Sequence, residues 1–126
     1  MDKKIKFREI TLASGTKLLL GKDAETNDAL MKKFREKSNI ILHTVAPGSP
    51  FGVIEKINPS IGDITASGAI IASYSQDWRD NKSNVLVNVF TGRDISKPKD
   101  LKTGTWKVRK SKTITIKKKD IEELEK

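Results

Sequence analysis

The side chains best suited to catalysis or ligand binding are few in this sequence. It contains one histidine, His43, and no cysteine, so thiolate chemistry and multi-histidine metal sites are excluded. Ser49 follows a glycine, but Gly48-Ser49-Pro50 lacks the flanking glycines of a serine-nucleophile elbow. No pair of carboxylates has a spacing typical of acid–base or two-metal catalysis. These features predict a protein that is not an enzyme and that holds no metal or cofactor.

His43 and Asn27 are nevertheless candidates for a polar pocket, together with Asp23, Gly48 and Ser49. An imidazole can contact a ligand, or it can be satisfied inside a network of hydrogen bonds. The Asn27 amide can hold the turn that contains Gly48 and Ser49, or it can reach a phosphate or a base. The sequence leaves both alternatives open for both residues.

Positive charge is concentrated in one part of the chain. Residues 93–119 carry 11 basic and 2 acidic side chains, whereas residues 1–92 carry 13 basic and 10 acidic ones. Such a block is typical of proteins that bind phosphate backbones, although a lysine-rich surface also serves solubility. Lysines outnumber arginines by 20 to 5, which favours phosphate contact over base reading. The candidate nucleic-acid contacts are Arg93, Lys97, Lys99, Lys102, Lys107, Arg109, Lys110 and Lys112.

The length and the hydropathy pattern limit the remaining possibilities. A chain of 126 residues without an internal repeat or a Pro/Gly-rich linker is expected to form one domain, residues 1–126. Its apolar stretches are too short to span a bilayer or to act as a secretory signal. We therefore expect a cytoplasmic protein without stable membrane insertion.

Hydrophobic periodicity and turn residues predict the elements of the first half that must position these side chains. A helix is expected over residues 24–37, with Asp23 as its N-cap. The strand-like segments are residues 5–12, 17–20, 39–45 and 51–57.

In the second half, a long helix over residues 62–79 is followed by a strand over residues 85–90. A basic loop and a final hairpin fall within residues 93–119, and Asp120 is expected to cap a short acidic helix. The spacing of Trp78 and Trp106 predicts that both side chains lie in the core, whereas Tyr74 is the aromatic residue expected at the surface. The pattern predicts an α+β fold, with about seven strands in a twisted, mostly antiparallel or mixed sheet. Two main helices and a short C-terminal helix pack on it.

Several short motifs occur in an order that resembles the NFACT-R domain, the RNA-binding module of the NFACT proteins. The resemblance covers about residues 5–117. Its motifs are Gly21-Lys22-Asp23 with Asn27, the strand ending in His43, Pro47-Gly48-Ser49, Ala66-x-Gly68, Tyr74-Ser75-x-x-Trp78 and Gly104-Thr105-Trp106-x-Val108-Arg109. Asn39 and Ile41 stand where that family usually has an aspartate and an aromatic residue, and Pro50 stands where histidine is common.

The resemblance implies a role in ribosome quality control, where NFACT factors bind obstructed large ribosomal subunits and recruit tRNA. The expected partners are tRNA or large-subunit rRNA, with the ribosome or other quality-control factors. The chain lacks the other domains of full-length factors, so it resembles a stand-alone NFACT-R protein, and chain elongation is not expected of it.

Three hypotheses from different classes follow. The first is a non-catalytic RNA-binding module that uses the basic segment of residues 93–119. The second is an adaptor for acidic proteins or anionic membrane surfaces, and the third is a small hydrolase that uses His43 and Asn27. The charge block and the resemblance favour the first hypothesis.

Overall fold

The computed structural model describes residues 6–99 and 101–126, and its centre is a six-stranded sheet. Every neighbouring pair of strands is antiparallel, in the order β1-β2-β4-β3-β5-β8. The strands are β1 (Arg8–Thr11), β2 (Lys17–Leu20), β3 (Ile40–Thr44), β4 (Gly52–Ile54), β5 (Val85–Thr91) and β8 (Lys112–Ile116). Two further short strands, β6 (Ile95–Ser96) and β7 (Lys107–Val108), form a separate ribbon.

Helices cover both faces of the sheet because its strands are apolar on both sides. In β2, Leu18 and Leu20 belong to one hydrophobic cluster and Leu19 to the other. The first face packs on the helices α2 (Ile61–Ser73), α3 (Gln76–Asn81) and α4 (Lys118–Leu124). The second face packs on α1 (Ala24–Phe34) and on the β6–β7 ribbon. The predicted α+β class is therefore confirmed.

The predicted helix over residues 62–79 is wrong, because two helices occupy this segment. The Ser75 hydroxyl accepts a hydrogen bond from the Trp78 N–H at 3.1 Å and donates one to the Ala72 carbonyl at 2.7 Å. A serine that bonds local backbone groups competes with helix continuation and serves as an N-cap instead. Tyr74, at the break, is 38% exposed, as expected from the sequence.

The predicted final hairpin is also wrong, although its apolar residues do point inward. β7 pairs with β6, which lies in the segment that was expected to be a loop, and β8 pairs with β5. Trp106 consequently packs on one face of the sheet and Ile116 on the other. The Arg109 N–H donates to the Asp94 carbonyl at 2.7 Å, so the chain stays with the ribbon before it crosses to the sheet edge.

Two helix ends differ from the sequence prediction as well. α1 ends at Phe34 rather than at residue 37, and Glu36 adopts a positive φ of 68°. α4 begins after Lys117, so Asp120 lies in its first turn and is not the N-cap. An acidic side chain there still interacts favourably with the helix dipole. Ile5, the expected start of β1, lies outside the described residues.

Trp78 is the largest fully buried side chain, and its removal tests the core. We expect Trp78→Ala to lower the free energy of unfolding by about 3–5 kcal/mol, because it leaves a large cavity. The measurement is urea denaturation followed by circular dichroism. Trp78→Phe is the control: it keeps an aromatic ring but loses the hydrogen bond from Nε1 to Glu125 Oε1, which is 2.8 Å long. An alanine variant as stable as the phenylalanine variant contradicts the prediction.

Candidate nucleic-acid interface

The predicted polar pocket is built around a junction between β2, α1 and the start of β4. The Gly21 N–H donates to the Phe51 carbonyl at 3.1 Å, and the Phe51 N–H donates to Asn27 Oδ1 at 3.0 Å. A Cβ at Gly21 would overlap the Asn27 side chain, so only glycine allows this approach. Asn27 therefore holds the backbone just after the turn that contains Gly48 and Ser49.

His43 is attached to the same junction through Phe51. Its ring lies 4.3 Å from the Phe51 ring, centroid to centroid, with 30° between the planes. Burial lowers the pKa of His43, and backbone hydrogen bonds with Thr44 and Ser49 only partly oppose that change. The imidazole is thus neutral at pH 7, with Nδ1–H donating to the Thr44 carbonyl at 2.8 Å.

Ser49 is engaged in shaping the turn rather than exposed as a nucleophile. Its hydroxyl accepts from the Thr44 N–H at 3.1 Å and donates to the Pro50 carbonyl at 3.3 Å. Neither contact involves a base that could activate the hydroxyl for attack.

An open groove of about 510 Å³ lies beside this junction, and we call it the cationic groove. Three cations from separate elements line it: Arg8 of β1, Lys22 before α1 and Arg79 of α3. Of these, Arg8 lies over the Tyr74 ring at 4.6 Å, and Arg79 donates to the Tyr74 carbonyl and to Gln76. Among the described residues, none of the three forms a salt bridge with a carboxylate. One carboxylate, Asp23, also lines the groove.

The N-terminus of α1 fixes the position of Lys22 in the groove. Asp23 is the N-cap, as predicted, and its carboxylate accepts from the Thr26 N–H at 2.8 Å. The Thr26 hydroxyl in turn accepts from the backbone N–H of Lys22 at 2.7 Å and of Asp23 at 2.9 Å. This capping box keeps the Lys22 backbone against the helix.

The loop Thr103-Gly104-Thr105 also lines the groove, and Asp28 anchors it. Asp28 Oδ1 accepts from Lys97 Nζ at 2.6 Å, from Trp106 Nε1 at 3.0 Å and from the Gly104 N–H at 3.2 Å. Gly104 has a φ of +83°, and a Cβ there would lie 2.9 Å from Ala24. This loop can approach α1 so closely only with glycine at that position.

The same contacts keep Asp28 ionised although it is only 8% exposed. Burial alone would raise the pKa of its carboxyl, but hydrogen bonds from Lys97, Gly104 and Lys32 outweigh burial and lower the pKa to about 2. A buried carboxylate usually remains charged because several hydrogen-bond donors stabilise its ionised form. Asp28 was not among the site residues predicted from the sequence.

The predicted basic residues do not form one continuous surface. Lys97 differs from the others because its ammonium is bound to Asp28 and to the carbonyls of Lys102 and Thr105 at 3.0 and 3.1 Å. The sequence predicted Lys97 as a nucleic-acid contact, but in the structure its ammonium has a structural role instead. The side chains of the remaining seven are exposed: Arg93, Lys99, Lys102, Lys107, Arg109, Lys110 and Lys112.

None of these exposed cations lines the cationic groove, although Lys102 directly precedes Thr103 of its lining. Lys110 and Lys112 instead line a separate apolar depression beside Ile40 and Ile64. Arg109 lies 3.7 Å from Asp94, so part of its charge is compensated. The sequence interpretation missed Arg8, Lys22 and Arg79, because they lie in the nearly neutral part of the chain.

A family model described as the NFACT protein RNA binding domain matches residues 6–110. The chain belongs to this family. The archaeal Rqc2 homolog aRqcH of Methanocaldococcus jannaschii is 31% identical to this NFACT domain over 71 residues, which are 55% of this chain and 11% of the archaeal protein. The chain therefore spans only a small part of the length of this curated relative.

The fold of the NFACT domain also occurs in a solved structure. The C-terminal part of the fibronectin/fibrinogen-binding protein of Streptococcus suis has a TM-score of 0.82 and 24% sequence identity. The match covers 97% of this chain and 50% of the Streptococcus chain. At this identity the similarity shows the fold alone.

Two further observations concern the described part of the NFACT domain. Residues 6–99 and 101–126 contain no group of three or more histidine or carboxylate side chains placed to hold a metal ion. No helix within these ranges has the length and apolar character needed to cross a bilayer.

The Asp28 network predicts a pH-dependent contribution to stability. Because the pKa of Asp28 in the folded domain is about 2 rather than 3.8, its ionised form stabilises the fold by about 2 kcal/mol above pH 4. This contribution declines as the pH falls from about 4 to about 2. We expect Asp28→Asn to be less stable than the wild type by about this amount at pH 7, as measured by urea denaturation, and the difference to shrink over that pH range.

Glu55→Gln is the matched control, since Glu55 is an exposed carboxylate. Its stability should stay within about 0.5 kcal/mol of the wild type at each pH. An Asp28→Asn variant whose deficit is constant from pH 7 to pH 2 contradicts the role of the ionised carboxylate.

Proposed function

We propose that this chain binds RNA through the cationic groove and acts in ribosome quality control as a non-catalytic module. The observation that carries the proposal is the arrangement of Arg8, Lys22 and Arg79 around one groove, without carboxylate partners among the described residues. Membership in a family of RNA-binding domains supports RNA as the polyanion. The similarity to an archaeal Rqc2 homolog supports the cellular role.

The geometry of the groove suits a phosphate backbone. A guanidinium presents a planar set of donors to phosphate oxygens, whereas the Lys22 ammonium acts as a compact charge. Lys102, which directly precedes Thr103 of the groove lining, adds an exposed cation next to this loop. Exposed cations farther from the groove strengthen the long-range attraction of RNA without each contacting a phosphate.

Three polar residues near the groove are engaged in structural contacts. Asp28 is occupied by donors, Ser49 is held by backbone groups, and His43 donates from Nδ1 to a carbonyl. These assignments support a binding role rather than catalysis.

We further propose that the RNA is tRNA or large-subunit rRNA and that the protein acts in the cytoplasm.

Neutralising the three groove cations tests where RNA binds. We expect the variant Arg8→Gln, Lys22→Gln, Arg79→Gln to lose RNA affinity and to show a salt slope flatter by about two to three units. Each lost phosphate contact contributes about 0.7–0.9 units to the slope of log affinity against log salt. The measurement is fluorescence anisotropy with a labelled RNA over a series of salt concentrations.

Two control variants make this experiment specific. Lys33→Gln, Lys56→Gln, Lys126→Gln removes the same charge from exposed positions outside the groove and should change the slope little. Lys107→Gln, Arg109→Gln, Lys110→Gln, Lys112→Gln tests the surface that the sequence favoured. If this quadruple variant loses binding while the groove variant keeps wild-type affinity and slope, the RNA site is not the groove.

The identity of the RNA requires an experiment in the native cell. Crosslinking followed by sequencing of the bound RNA should recover tRNA or large-subunit rRNA. Recovery of neither above background overturns the link to the ribosome, even if the purified chain binds RNA.

A further inference from the structure

A second cavity of about 310 Å³ adjoins the cationic groove, and we call it the ring cavity. The two spaces share the turn residues Gly48 and Ser49 on one side and the loop residues Gly104 and Thr105 on the other. Its volume is at the lower end of the range for small-ligand pockets, about 300–1,000 Å³. A ligand in the groove could therefore place one compact group in the ring cavity.

The walls of the ring cavity are rich in aromatic side chains. They include Phe51, Phe90, Trp106 and the neutral imidazole of His43. Stacking of bases on aromatic side chains is a common source of affinity in single-stranded RNA recognition.

The cavity also offers hydrogen bonding to the edge of such a ring. Asn88 lies opposite His43 in the pairing of β3 with β5, and both residues line the cavity. The Thr113 hydroxyl donates to Asn88 Oδ1 at 2.9 Å, which orients the amide and leaves its Nδ2 as a donor for a ligand. The His43 ring is held by backbone hydrogen bonds with Thr44 and Ser49, so it supplies a fixed ring surface to the cavity.

We propose that the ring cavity receives the base of one unpaired RNA nucleotide while the neighbouring phosphates lie in the cationic groove. This inference rests on the proposed function, because the groove must hold the RNA backbone. A base within a regular duplex is stacked and cannot enter a cavity, whereas a bulged or single-stranded base can. The domain thus distinguishes RNA that contains an unpaired nucleotide from fully paired RNA.

Three RNA duplexes that differ at one position test the inference. One is fully paired, one carries a single bulged nucleotide, and one carries the same bulge without its base. We expect the wild-type chain to bind the bulged duplex about tenfold more tightly than the other two, since one stacked base contributes on that scale. Equal affinity for all three overturns the inference.

Variants then assign the preference to the ring cavity. Val108 is half-buried and lines the cavity, so Val108→Trp should fill it and abolish the preference for the bulged duplex. Asn88→Ala should reduce the preference for the bulged duplex without filling the ring cavity. If Val108→Trp fails to fold, Asn88→Ala takes its place as the test. If folded Val108→Trp, or Asn88→Ala in its place, keeps the full preference, the base lies elsewhere.

Leu86→Ala is the matched control, because Leu86 is a 46% exposed residue of the same strand that does not line the cavity. It should keep the preference. Lys22→Ala should weaken binding of all three duplexes alike. If Lys22→Ala does so while the wild type shows no preference, the groove proposal stands and the inference fails; if Lys22→Ala changes nothing, the groove proposal fails.

Competition with ribonucleoside monophosphates separates a nucleotide within RNA from a free nucleotide. Because the cationic groove contributes only when an RNA chain is present, monophosphates should displace the bulged duplex poorly. Displacement at concentrations comparable with that of the RNA identifies a free nucleotide as the ligand and overturns the inference.

Discussion

The buried carboxylate of Asp28 is the contact on which the shape of the candidate site depends. It receives donors from a lysine side chain, an indole and a backbone amide of the segment 97–106, which is distant from α1 in sequence. A buried anion with this many donors is costly to disrupt, because removing it leaves buried donors without an acceptor. The loop that walls the groove is therefore fixed to α1 rather than free at the surface.

The antiparallel sheet explains why the cationic groove lies at one end of the sheet. Gly21 follows the end of β2, the turn containing Gly48 and Ser49 connects β3 to β4, and α3 begins where Gln76 donates its N–H to the Gly48 carbonyl at 2.8 Å. These segments meet at the same end of the sheet and leave a groove between them. Loops carried on a rigid scaffold are the usual location of binding residues.

The arrangement also gives the polar residues two kinds of role. Asn27 and Ser49 hold backbone groups in place, so their side chains determine the shape of the pocket rather than its chemistry. Arg8 and Lys22 project from this frame and supply charge. Such a division is suited to a module that binds a polyanion by shape and electrostatics, and it requires no reactive group.

The sequence by itself determined the α+β class, the main strands, the cap at Asp23 and the core positions of Trp78 and Trp106. Those features depend on local spacing and on side-chain hydrophobicity. The break at Ser75 was readable in principle from its capping chemistry, but hydrophobic periodicity continued through it to Trp78. The partners of β7 and β8 were not determined, because strand pairing depends on contacts between distant segments.

Only the tertiary structure decided which cations share a surface. Charge density along the chain pointed to residues 93–119, yet the fold uses Lys97 to satisfy Asp28 and separates Lys110 from the groove. It brings Arg8 and Arg79, 71 positions apart, to one groove. Electrostatic potential depends on distance in space, and a linear count of charges contains no information about that distance.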